Sequence, residues 1–167
     1  GDAVAIAQEH KPTVVGIYET CTWLAGKGVE KISGMNKGGS QVVEGVRITM
    51  VHADHSCGIL DDGKIVYGGE AVGFVLKFEN GPTIYHSGDT AVFGDMALIA
   101  KLYKPQIACL PIGDFYTMSP YEAGFAVRMI KPKTVIPMHY GTFPVLIGTP
   151  DALRKEIKGV KGVKVLG

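Results

Sequence analysis

The stretch Thr83-Ile84-Tyr85-His86-Ser87-Gly88-Asp89-Thr90 decides how this chain reads. Thr, Ile and Tyr suit a strand, and Asn80-Gly81 just ahead is a strong turn signal. That turn closes a hairpin onto the run Val72–Phe78, where Val72, Phe74, Leu76 and Phe78 recur with the period of a half-buried strand. A strand ending in Ser-Gly-Asp delivers a carboxylate into a loop past its carboxyl end. In open α/β sheets, functional side chains gather there.

Two further clusters stand at comparable places. Ala53-Asp54-His55-Ser56 follows the strand signal Gln41–Val51, in which Val46, Ile48 and Met50 alternate with Arg47 and Thr49. Pro137-Met138-His139-Tyr140-Gly141 ends the apolar run Thr134–Met138, and Asp114 follows Ile107–Gly113. Two imidazoles and a carboxylate are what a hydrolytic metal centre needs, because nitrogen ligands and a bridging oxygen can share cations. The chain also has no His-x-His pair, and no Asp-His step before position 54. These residues are expected to form half of a metal site.

The rest of the pattern alternates between strands and helices. Helices are expected over about Asp2–His10 (with Asp2 as N-cap), Thr20–Gly26, Gly94–Tyr103 and from Pro150 to about Lys158. Ser119-Pro120-Tyr121-Glu122 combines a capping box with proline at the first helical position. Ala123, Ala126, Val127 and Ile130 then follow helical spacing. Further strands are expected at Thr13–Tyr18, Lys31–Met35 and Val163–Leu166. Ile107–Ile112 and Val135–Met138 are apolar along their whole length, which predicts a sheet covered on both faces.

At 167 residues, 46% hydrophobic and 20% charged, the chain reads as one globular α/β domain spanning 1–167. A formal charge of +1 without any Lys/Arg block argues against nucleic acid or an anionic membrane as partner. No apolar stretch approaches the ~18 residues of a membrane span. Cys21, Cys57 and Cys109 are odd in number and lack Cys-x-x-Cys spacing, so neither finger-type zinc nor a disulfide framework is expected. Together these features place the protein in a reducing compartment, the cytoplasm. Because the chain opens on what reads as the first turn of a helix, it is also expected to be a piece of something longer.

The order of these motifs resembles the metallo-β-lactamase superfamily. The resemblance rests on His55-Ser56, Tyr85-His86-Ser87-Gly88-Asp89-Thr90 and Ile136-Pro137-Met138-His139-Tyr140-Gly141. Pro111-Ile112-Gly113-Asp114, Thr117-Met118-Ser119-Pro120 and Ile130-Lys131-Pro132 add to it. Within the superfamily the chain is most similar to cytosolic metal-dependent hydrolases related to ascorbate-6-phosphate lactonase, from Gly1 to about Leu166.

The resemblance implies an αββα sandwich lacking its first strands, with two divalent ions, zinc or manganese, at one sheet edge. It implies His55 as a ligand of the first metal, Asp89 as the bridging ligand and His139 as a ligand of the second. His86 would stand beside Asp89 in a catalytic or substrate-facing role, and Asp114, Phe115 and Thr117 would line the pocket mouth. His52 would be a bystander. Independently of the resemblance, Cys57 stands two residues from His55, where a thiol can be a soft metal ligand, and as a lone thiol it reads instead as a small packed residue. The implied reaction is hydrolysis of a small-molecule ester, lactone or phosphodiester through a metal-activated water.

The family's His-x-His-x-Asp-His segment, which supplies four more ligands, is missing. The isolated chain is therefore expected to be inactive until that segment is provided, by the intact protein or by a second chain. A sheet edge left unpaired in this way also makes a homo-oligomer possible. Two rival expectations are a non-catalytic, degenerate scaffold or interaction protein, and an iron-dependent oxidoreductase on the same fold.

Overall fold

The computed structural model describes residues 2–167; Gly1, where the expected domain begins, lies outside the described residues. The elements run α1 (Ala3–His10), β1 (Val14–Ile17), α2 (Tyr18–Gly26), β2 (Ile32–Met35), β3 (Ser40–Val43) and β4 (Val46–His52). They continue with β5 (Gly58–Asp61), β6 (Lys64–Tyr67), β7 (Val72–Phe78), β8 (Thr83–His86), α3 (Met96–Tyr103) and β9 (Ile107–Pro111). The chain closes with α4 (Pro120–Ile130), β10 (Thr134–Met138), α5 (Pro150–Glu156) and β11 (Lys164–Val165).

Seven strands form the main sheet in the order β11-β10-β9-β8-β7-β4-β3. Its two halves differ in direction. From β3 to β8 every pairing is antiparallel, whereas β8, β9, β10 and β11 pair in parallel. The cause is local. Short turns can join antiparallel neighbours, but parallel neighbours need crossovers, and α3, α4 and α5 supply them. β8, the strand of the Ser-Gly-Asp motif, is where the two halves meet.

The core lies between this sheet and the helices. Val75, Tyr85, Ala108, Leu110 and Val135 pack with Met96 and Ile99 of α3, Ala123, Ala126 and Val127 of α4, and Leu153 of α5. The α4 start forms as its sequence dictates. Ser119 accepts a bond from the Glu122 amide, the Glu122 carboxylate accepts one from the Ser119 amide, and Pro120 occupies the first turn. β1 and β2 pair in parallel as a separate two-stranded sheet, with α1 and α2 beside them through Ala7, Leu24 and Val29.

Three local readings change. The expected strand Gln41–Val51 is two strands, because Glu44-Gly45 take positive φ (49° and 80°) and fold the chain into a tight hairpin. Asp2 precedes α1 but makes no side-chain cap bond. Between β4 and β7 lies a hairpin, β5–β6, that the pattern analysis did not predict. Asp62-Gly63 turns it with φ of 46° and 76°, an Asp-Gly signal of the kind read at Asn80-Gly81. Trp23 of α2 and Lys27 just past its end bond the Asp61 carboxylate at 2.8 and 2.7 Å and hold this hairpin in place.

Candidate metal centre

Four of the expected site residues lie just beyond the carboxyl ends of main-sheet strands, His55 past β4, Asp89 past β8, Asp114 past β9 and His139 past β10, while His86 is the last residue of β8 itself. The parallel register β8–β9–β10 stacks three of these ends side by side, with His86 opposite Cys109 and Met138 opposite Pro111. The loops sit close enough to need glycine. A Cβ on Gly113 would lie 2.0 Å from the His139 carbonyl oxygen, and one on Gly88 would lie 2.4 Å from that of Val72. Gly88 (φ 66°) also needs the left-handed region, and His139 (54°), Asp114 (67°) and Phe115 (61°) enter it without being glycine. Such backbone is stored strain and concentrates at functional sites.

Asp89 and His139 come together. The His139 Nε2 atom lies 3.6 Å from Asp89 Oδ2, too far for a hydrogen bond. It is close to the spacing of two ligands on one tetrahedral zinc, about 3.4 Å for bonds of about 2.1 Å. The other ring nitrogen, Nδ1, is buried and has no partner, as is the Thr117 hydroxyl. This donor set, an imidazole nitrogen and a carboxylate oxygen, fits a divalent cation.

His55 shares a cavity of about 500 Å³ with Asp89, Thr20, Ser56 and Cys57, and no Lys or Arg lines it. Its ring, however, engages the backbone: Nδ1 lies 2.8 Å from the Ser56 carbonyl oxygen and Nε2 3.1 Å from that of Tyr116. A ligating nitrogen must present its lone pair to the cation, so His55 must leave the Ser56 or the Tyr116 carbonyl to bind one. Accordingly, no three His, Cys, Asp or Glu side chains converge on a metal position among the described residues.

His86 faces elsewhere. It lines a groove of about 350 Å³ with Val15, Ile48, Val72, Phe74 and Leu76, and its Nδ1 accepts a bond from the Gly88 amide at 3.2 Å. Burial pulls its pKa below the usual imidazole range, partly offset by the nearby Asp89 charge. Of the expected mouth residues, Phe115 is exposed and Asp114 turns back to accept from the Phe115 amide. His52 stacks edge-on against Phe93 at 4.9 Å, away from the pair.

Of the residues that hold these loops, Thr90 and Thr20 were not assigned a role from the sequence. Thr90 is fully buried, and its hydroxyl accepts from the Asp54 amide at 3.0 Å and donates to the Ala91 carbonyl, tying the His55 loop to the Asp89 loop. Thr20 donates to Gly68 at 2.6 Å, and the Cys57 thiol donates to the same carbonyl at 3.4 Å. The final Thr of Ser-Gly-Asp-Thr was the available signal for Thr90.

The fold and its strand-end polar residues define a metallo-hydrolase domain of the β-lactamase type, and the comparisons agree. The profile of the beta-lactamase superfamily domain matches residues 3–140. The chain is 59% identical over 160 residues to a UPF0173 metal-dependent hydrolase of Solibacter usitatus, covering 96% of this chain and 70% of that protein. A counterpart in Koribacter versatilis is 56% identical over 158 residues, 95% of this chain and 68% of the relative. Among solved structures, Igni18, a metallo hydrolase from Ignicoccus hospitalis, superposes with a TM-score of 0.84 at 33% identity, over 99% of this chain and 70% of that one. The chain belongs to the UPF0173 metal-dependent hydrolases, enzymes of the beta-lactamase superfamily. Among the described residues, no helix is long and apolar enough to cross a membrane.

Proposed function

We propose that the protein hydrolyses a small-molecule ester, lactone or phosphodiester at a centre of two divalent cations, zinc or manganese. In this reading Asp89 bridges the two positions, and His55 and His139 each serve one. The observation that carries it is the 3.6 Å approach of Asp89 Oδ2 to His139 Nε2, with the second imidazole nitrogen left buried and unpaired. Metal bound there supplies Lewis-acid polarisation and an activated water.

The chain's own residues do the positioning. Gly88 and Gly113 let the loops approach, Thr90 ties the Asp89 and His55 loops together, and His86 accepts the Gly88 amide and so steadies the turn that leads into Asp89.

Three side chains are too few for two ions, since a catalytic zinc takes about three protein ligands plus water. Further ligands come, in this proposal, from residues outside this chain, in the intact protein or in a second, different chain. The apolar groove of Val15, Ile48, Val72, Phe74 and Leu76, on the sheet face away from the helices, suits cover by such a segment. The three free thiols suit the cytoplasm.

Calorimetric titration of metal-free protein with zinc and with manganese tests the centre, using this chain and a longer one that extends before it. The longer protein should bind at least tenfold more tightly, and Asp89→Asn should weaken both ions together. Equal binding by the Asp89→Asn and unaltered proteins would refute the assignment. Ester, lactone and phosphodiester hydrolysis before and after chelation then separates the reaction classes.

A further inference from the structure

We propose that the helix-side face of the main sheet carries a second site, for a small phosphate-class oxyanion, held by Arg47 and Lys77 above the hydroxyls of Ser40, Thr49 and Thr83. The strand register builds it. Arg47 on β4 is directly opposite Lys77 on β7, and Lys77 is directly opposite Thr83 on β8. Two residues on from Arg47 comes Thr49, opposite Ser40 of β3. Side chains alternate along a strand, so all five share one face.

Further along that face come Val75 and Tyr85, buried beneath the helices. The helical layer stops at Tyr103, the last residue of α3, and the space between it and the five polar residues is a cavity of about 200 Å³. That is below the usual ~300 Å³ minimum of a drug-sized pocket, which limits the occupant to a compact ion or a small molecule bearing one.

Charge supplies the second argument. Like charges directly opposite on neighbouring strands repel and destabilise the sheet. Neither Arg47 nor Lys77 forms an ion pair or a side-chain hydrogen bond among the described residues. Glu79, the residue just past β7, lines the adjoining cavity with both cations and bonds neither. An anion between them converts the repulsion into attraction.

The donor set gives its class. A planar guanidinium fork, an ammonium and buried hydroxyls line one cavity. Thr49 and Thr83 are buried, and Thr49 exchanges a 2.7 Å bond with Ser40. Several donors match the three free oxygens of a phosphate better than the two coplanar oxygens of a carboxylate. The site is distinct from the candidate metal centre, because Val72, Phe74, Leu76 and His86, which border that region, point to the opposite face by the same alternation.

The test is an amide NMR titration of chelator-treated, metal-free protein with inorganic phosphate, glycerol phosphate and, at matched ionic strength, chloride. Saturable shifts are expected at Thr49, Lys77 and Thr83, with phosphate binding at least tenfold tighter than chloride. Arg47→Gln and Lys77→Gln should each weaken binding at least tenfold, and Lys101→Gln, on the exposed side of α3, should not change it. Removing one cation should also raise the melting temperature in phosphate-free buffer, which separates lost binding from lost folding. Tighter binding of glycerol phosphate identifies a phosphorylated small molecule as occupant, and equal binding identifies free phosphate. Shifts that fail to saturate, or that survive in both the Arg47 and Lys77 variants, overturn the proposal.

Discussion

Replacing Tyr85 by phenylalanine should stabilise the protein, although Tyr85 is among the most deeply packed residues of the core. Its ring sits on β8 with no exposed surface, and its hydroxyl is buried without a hydrogen-bond partner. An unsatisfied buried hydroxyl costs about 1–3 kcal/mol of desolvation, and Tyr85→Phe removes the oxygen while keeping the ring. For a chain of this length, each 1 kcal/mol corresponds to about 2–4 °C in melting temperature.

Burial also raises the Tyr85 pKa well above the ordinary tyrosine value. The unfolded chain therefore releases this proton near pH 10 while the folded protein keeps it. The tyrosine form is fully stable below about pH 10 and loses stability as pH rises beyond it. The Phe variant lacks this part of the loss, so its advantage should widen in alkali. Urea unfolding at pH 7 and pH 10.5 measures both effects. A variant less stable than the parent by 1 kcal/mol or more would show that the hydroxyl is satisfied, and the reasoning would fail.

Three more outcomes follow from named contacts. A Cβ on Gly148 would stand 1.6 Å from the Ile112 carbonyl oxygen, whereas one on Gly94 meets nothing within 4 Å. Gly148→Ala should therefore cost at least the ~1–3 kcal/mol of an overpacked core, with Gly94→Ala near neutral in the same denaturant series. Ser119→Ala removes the hydroxyl that accepts the Glu122 amide, while the residue-119 amide keeps its bond to the Glu122 carboxylate, and should cost about 0.5–2 kcal/mol in equilibrium unfolding. Lys27 and Trp23 bond the Asp61 carboxylate and hold its pKa below the usual range, the Lys27 bond being the larger cause. Asp61→Asn should speed hydrogen exchange in β5–β6 and leave α4 and β9 unchanged; equal protection throughout would show that the hairpin stands without this tether.

Much of the architecture was legible because periodicity and punctuation agreed. Ser119-Pro120-Tyr121-Glu122 started α4 as written, and the Asn80-Gly81 region turned β7 onto β8. The Asp62-Gly63 hairpin escaped because its flanks, Gly58–Asp61 and Lys64–Tyr67, show no apolar alternation; Leu60, Ile65 and Tyr67 are all exposed. The split at Glu44-Gly45 depends on a positive φ at Glu44, which no propensity announces. At the site, placement just past strand ends brought Asp89 and His139 into register. The turn of the His55 ring toward the Tyr116 carbonyl is set by a loop 61 residues away, and no local pattern encodes it.

The change of direction at β8 has a consequence for assembly. On its β7 side, neighbours are joined by a four-residue turn; on its β9 and β10 side, each join waits for a helix to cross over. Non-local joins of that kind close late. Asp89 leaves β8 and His139 leaves β10, so the two meet only after both crossovers are complete. The approach of Asp89 to His139 is thus a late contact of folding, and a nascent chain released before β10 would lack it.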